Sequence, residues 1–127
     1  MTTAQLREYL AQRAGNLCEY CHAKSLGEFW PYQIEHIIAL AHGGTDDLDN
    51  LAFACRRCNE FKGPNLATID PVSQTLVPLF NPRKQGWSEH FQITDGKVVG
   101  LTAVGRGTAN LLRMNEENRV EVRLRSF

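Results

Sequence analysis

The chemistry in this sequence starts with its cysteines, which fall into two pairs of the same spacing: Cys18-Glu19-Tyr20-Cys21 and Cys55-Arg56-Arg57-Cys58. Thirty-three residues separate the pairs, and no cysteine is left over. A two-residue gap lets both thiolates of a knuckle point at one ion, and two knuckles complete a tetrahedral four-thiolate zinc site. The rivals are a redox pair, an iron site of the rubredoxin kind, and free buried thiols. A redox motif would need a βαβ context that this sequence lacks. The spacing therefore predicts structural Zn²⁺ at Cys18, Cys21, Cys55 and Cys58. Such an ion staples residue 18 to residue 58 and closes a loop over everything between them. With four thiolates in place it keeps no position for water, so any catalysis must come from other residues.

Inside the stapled loop stand Glu35-His36, then Asn50 fourteen residues after the histidine, then Asn59 directly after the last cysteine. Taken singly, each has an ordinary reading: a core histidine, a turn asparagine, a helix-surface asparagine. As a group they suit phosphodiester hydrolysis, which needs a nucleophilic water, a base titrating near neutrality and a cation for the departing oxygen. Histidine has the pKa for the base. Arg56, Arg57 and Lys62 fall on the same short segment and are candidates for phosphate contact, against the reading of a solvated face. His42, in the loop, is a weaker phosphate candidate, and His90 is assigned to packing. Trp30, Phe53, Phe61 and Trp87 are assigned to the core.

The whole stretch IEHIIALAHGGTDDLDNLAFACRRCNEFKG resembles the HNH endonucleases, whose ββα-metal core is also called a His-Me finger. The matching features are Glu35 and His36 at a strand end, Gly43-Gly44 in a loop, Asn50-Leu51 opening a second strand, Cys58-Asn59 in a helix, and Lys62-Gly63. The Cys18–Cys21 knuckle after an N-terminal helix is similar to the zinc-stapled branch. The resemblance covers residues 4–64. It implies His36 as general base, Glu35 and Asn59 as ligands of one catalytic Mg²⁺ or Mn²⁺, and Asn50 as the residue that ties down the loop and orients the histidine. Oxygen ligands of this kind suit a hard divalent ion. The implied substrate is DNA, with RNA as the alternative, and the implied ends are 5′-phosphate and 3′-hydroxyl. Glu35 stands where Asp is commoner in the family, Asn59 where many members have His, and Ala39 where Pro often follows. Strand alternation sends Glu35 and His36 to opposite faces, an objection that weakens at a strand's end.

These residues need elements to hold them. Residues 4–14 show a helical stripe of Leu6, Leu10 and Ala14, with a Thr2/Gln5 capping box and Gly15 as the stop. QIEHII at 33–38 and LAFA at 51–54 read as strands, and 55–62 as a short helix closed by Gly63-Pro64. Beyond Pro64 the chain reads as irregular around Pro71, Pro78 and Pro82. A hairpin over 90–101 follows, turning at Asp95-Gly96, then a helix over 108–115 after a Gly105–Gly107 break, and a helix over 116–125. The expected fold is α+β: a ββα-metal core with a four-cysteine zinc site, an N-terminal helix, and a hairpin-plus-helix elaboration.

At 127 residues, 43% hydrophobic and 22% charged, the chain is expected to form a single globular domain, 1–127, with the core at 4–64 and the elaboration at 65–127. The longest apolar runs are five residues, which excludes a membrane-spanning helix at roughly 20 residues per crossing. The opening MTTAQLREYLAQR lacks the layout of a secretory signal, so a cytoplasmic protein is expected, and its tail resembles those of small bacterial HNH proteins. Net charge is zero, with Glu28, Glu35, Asp46, Asp47 and Asp49 in one stretch and five arginines from Arg106 onward. A polyanion partner is therefore argued from a site, not from overall charge. Two other readings use the same residues: a zinc-knuckle module that binds nucleic acid or protein without cleaving, and a nuclease subunit whose residues 65–127 dock to a protein partner.

Overall fold

A computed structural model describes residues 1–27 and 31–126; Trp30, assigned to the core from sequence, lies outside them. Helix α1 spans Thr3–Arg13. Its capping box forms as expected: the Gln5 amide donates to Thr2 Oγ1 at 3.1 Å, and the Thr2 amide donates to Gln5 Oε1 at 2.8 Å. The buried face of α1, Leu10 and Ala11, packs on Leu51 and Phe53.

Strands β1 (Gln33–His36) and β2 (Leu51–Ala54) pair antiparallel, with Glu35 opposite Ala52 and His36 opposite Leu51. β1 is two residues shorter than 33–38 because the Asn50 side chain takes the place of a strand partner. Its Oδ1 accepts from the Ile38 amide at 2.9 Å, and its Nδ2 donates to the Ile38 carbonyl at 3.0 Å. Helix α2 (Arg56–Lys62) follows β2 directly, with the Cys55 sulfur accepting from the Cys58 amide at its start. Two strands, one loop and one helix thus form a compact ββα unit beneath α1.

The second half holds more regular structure than its prolines suggest. β3 (Ala67–Ile69) and β4 (Leu76–Pro78) form a hairpin in the segment expected to be irregular. Their length of three residues each, with proline ending the second, hides them from periodicity. After α3 (Trp87–His90), β5 (Phe91–Thr94) and β6 (Lys97–Gly100) form the expected hairpin, with Asp95 and Gly96 at φ 51° and 77°. That is the left-handed pair a two-residue turn favours.

The predicted break at Gly105–Gly107 is absent. Helix α4 runs Ala103–Leu111 straight through it, capped by Thr102. These glycines serve approach instead: a Cβ on Gly105 would lie 2.1 Å from the His90 carbonyl oxygen. Only glycine lets α4 lie so close to the end of α3. Helix α5 (Glu117–Ser126) ends the described chain.

The main core joins both halves. Cys18, Tyr20, Cys21, Ala52, Cys55 and Cys58 share it with Phe80, Phe91, Val98, Leu112 and Met114. Phe80 and Phe91 meet edge to face at 5.2 Å, each worth about 1.5–3 kcal/mol by burial alone. Among the described residues, no helix is long and apolar enough to cross a membrane.

Candidate metal centre and active site

All four cysteines are buried and unbridged. Their sulfurs lie within 4.8 Å of one another, with Cys21 and Cys55 Sγ 3.7 Å apart. Sulfurs around a tetrahedral ion at about 2.3 Å stand about 3.8 Å apart, so the spacing fits zinc. The knuckles are preformed: the Cys21 amide donates to Cys18 Sγ and the Cys58 amide to Cys55 Sγ, both at 3.4 Å. Burial pushes the Cys18 and Cys58 thiols well up, whereas hydrogen bonds from the neighbouring thiols, Cys18 first, hold Cys21 well down. Two sulfurs share a partner outside the cysteine set: Arg119 Nη1 donates to Cys58 Sγ at 3.1 Å and reaches Cys55 Sγ at 3.9 Å.

Glu35, His36 and Asn59 line one cleft of about 320 Å³, together with Ile34, Ala39, Leu40, Gly63 and Pro64. Alternation along β1 does separate the first two side chains. Glu35 is 3% exposed, while His36 is half-buried at the strand's end. Lys62 Nζ sits 2.6 Å from Glu35 Oε1, and the Tyr20 hydroxyl donates to Oε2 at 2.7 Å. Burial raises the Glu35 pKa, and the Lys62 ammonium pulls against that rise. A carboxylate has about four lone-pair sites, so two acceptor positions remain after these bonds. The Asn59 side-chain amide makes no hydrogen bond to any described residue. One carboxylate and one free amide oxygen on a shared cleft are a donor set that fits Mg²⁺ or Mn²⁺ with water and phosphate completing the shell.

The loop between β1 and β2 is built to hold its shape. Asn50 Nδ2 donates to the Thr45 carbonyl at 2.7 Å as well as to Ile38, so one side chain clasps both ends of the loop. Gly44 allows the tight return, since a Cβ there would lie 1.7 Å from the Ile38 carbonyl oxygen. Next to the clasped Thr45, Asp46 Oδ1 stands 2.7 Å from His36 Nε2. From sequence alone Asp46 is one of several loop charges. Its sole signal was proximity to the Gly-Gly turn, and the contact appears only once the loop closes.

Residues 18–65 match the family model described as HNH endonuclease. That span holds the four cysteines, Glu35, His36, Asn50 and Asn59 together. Residues 18–65 are an HNH domain. No curated protein and no solved structure matched the chain.

Around the HNH cleft, the three candidate phosphate-binding residues part company. Arg56 is exposed at the start of α2. Arg57 is engaged: it stacks over Phe61 at 4.4 Å and pairs with Glu116 at 2.7 Å, which holds the Glu116 carboxyl down to about 2. Lys62 points inward, 1% exposed, bonding Glu35 and the carbonyls of His36 and Ile37 at 3.2 and 2.9 Å. Its ammonium neutralises a buried carboxylate, so no part of it is left to meet a phosphate. Phe53 is buried as expected, and Trp87 and Phe61 are half-buried. Trp87 stacks on His22 at 3.6 Å, and burial lowers the His22 pKa to about 4, keeping that ring neutral. His90 bonds Thr102 at 2.6 Å in a packing role, and His42 is exposed in the loop.

Proposed function

We propose that this HNH domain is a divalent-metal-dependent endonuclease that hydrolyses DNA phosphodiester bonds, with zinc in the four-cysteine site as a structural staple. The observation that carries the reading is that His36, Glu35 and Asn59 all line one cleft of about 320 Å³. His36 is the general base. Asp46 occupies Nε2 at 2.7 Å, which leaves Nδ1 as the nitrogen that accepts the proton of the attacking water. Asp46 acts as a positioning residue, and Asn50 orients the histidine at one remove by holding Thr45 next to it. The new P–O bond forms to the water oxygen as the P–O3′ bond breaks, so the products carry 5′-phosphate and 3′-hydroxyl ends. Glu35 and Asn59 would hold Mg²⁺ or Mn²⁺, which supplies charge stabilisation to the departing oxygen. Arg56, exposed one turn from Asn59, is the best-placed of the three cations to meet the DNA backbone.

Incubating the zinc-loaded protein with supercoiled plasmid, with and without added Mg²⁺ or Mn²⁺, tests this reading. Nicking that needs the added ion while zinc stays bound, with ligatable 5′-phosphate ends, is the expected result. Binding to plasmid without cleavage under any ion would replace the enzyme by a binding module. Preference for an RNA substrate would move the substrate class.

A further inference from the structure

Helix α5 carries two arginines four residues apart, hence on one face, and both are driven into the core. Arg119 is 4% exposed and Arg123 0%. Arg119 Nη1 lies 3.1 Å from Cys58 Sγ and 3.9 Å from Cys55 Sγ, while Nη2 donates to the Leu112 carbonyl at 2.8 Å and to the Arg113 carbonyl. Arg123 donates to the carbonyls of Gly96 at 2.6 Å, Cys21 at 3.0 Å and Met114 at 2.6 Å, and reaches Asn115 Oδ1 at 3.2 Å. The carbonyl of Cys21, itself one of the four sulfur donors, is thus held from the same helix.

The charges do not balance within the polypeptide. Glu116 meets Arg119 at 3.1 Å but is shared with Arg57. Among the described residues, no carboxylate lies within ion-pair distance of Arg123. A fully buried guanidinium without an anion is strongly disfavoured. The cysteine cluster beside it supplies what is missing: four thiolates around one divalent ion carry a net charge of about −2, which two guanidiniums match. Four neutral thiols would leave Arg123 without an anion and Arg119 with only the shared Glu116.

We propose that Arg119 and Arg123 are outer members of the metal centre, and that α5 docks on the core because the four-cysteine site is metal-loaded. Outer-shell hydrogen bonds to metal-bound ligands hold the ligands in place and tune the site. Linkage makes the coupling reciprocal: the factor by which the ion tightens α5 is the factor by which α5 tightens the ion. Residues 117–126 therefore serve the zinc site rather than standing as a solvated tail. The inference concerns the cysteine cluster alone and holds whether or not the HNH cleft cleaves DNA.

The test uses full-length, zinc-loaded protein and measures two quantities: zinc affinity, by competition with a chromophoric chelator, and amide hydrogen exchange along the chain. Arg119→Met is expected to weaken zinc binding about ten- to a hundredfold, the usual worth of a hydrogen bond to a charged group. Protection of α5 amides should fall by a similar factor while β1 and β2 stay protected. Arg119→Lys, which keeps the charge and loses the fork, should fall between and stands in if the methionine variant does not fold. Arg125→Met, on the exposed side of the same helix, should leave both quantities at wild-type values. Wild-type zinc affinity in both Arg119→Met and Arg119→Lys would overturn the proposal. So would loosening of α5 with zinc affinity unchanged, because linkage demands both.

Discussion

Replacing Lys62 by methionine separates the two roles a lysine at this position can have. The side chain is 1% exposed; its ammonium lies 2.6 Å from Glu35 Oε1 and donates to two carbonyls at 3.2 and 2.9 Å. Methionine fills a similar volume but leaves the Glu35 carboxylate buried beside Tyr20 without a cation. Breaking a buried pair from one side costs about 3–5 kcal/mol. An unfolding entropy of about 2.1 cal/mol/K per residue gives a chain of this length about 0.27 kcal/mol/K, so the melting temperature should fall by roughly 10–20 °C. The assay is calorimetry or circular-dichroism melting in excess zinc. Glu35→Gln combined with Lys62→Met should recover much of the loss, because the neutral amide no longer needs a counter-ion, and the double-mutant cycle isolates that coupling. A solvent-facing phosphate contact would behave differently: melting within about 2 °C of wild type, with weaker DNA binding and a shallower salt dependence. That second pattern would refute the buried-pair account.

Other expectations follow from the same geometry. Cys18→Ser or Cys58→Ser should lose zinc and cooperative folding together, read by metal content and melting, because metal binding and folding are one event in such sites; a variant without zinc that melts normally would contradict this. Gly44→Ala would put a Cβ 1.7 Å from the Ile38 carbonyl oxygen, so the loop must shift. A loss of about 1–3 kcal/mol is expected by urea denaturation, with nicking lost further than stability. Asp46→Asn keeps an acceptor oxygen but drops the charge facing His36. It should lower kcat about tenfold with KM for plasmid nearly unchanged, and ¹⁵N shifts of the His36 ring should show a more mixed tautomer population than wild type.

Much of this was legible in the sequence, and the rest was hidden for physical reasons. Local signals worked where local physics decides: the Thr2/Gln5 cap, LAFA at 51–54, the Asp95-Gly96 turn. The cysteine spacing worked because each two-residue gap brings its pair of sulfurs together, and all four lie within 4.8 Å of one another. The β3–β4 hairpin escaped because three-residue strands carry no usable period. Gly105 read as a helix breaker because propensity knows nothing of the His90 carbonyl lying against it. Lys62 and Arg119 escaped for a shared reason. A charged side chain on a short helix reads as solvated until a buried anion is found for it. Here the anions lie far along the chain, Glu35 for one and Cys58 for the other. Asp46 meets His36 only through a loop that Asn50 closes.

The central claim is that His36 is the base of a metal-dependent phosphodiester hydrolysis. The most direct test compares wild type and His36→Ala on supercoiled plasmid under saturating Mn²⁺, with zinc content and melting checked in both. The account predicts a loss of about two to four orders of magnitude in nicking rate, the usual worth of a general base, with fold and plasmid binding retained. Nicking by His36→Ala at the wild-type rate would contradict it.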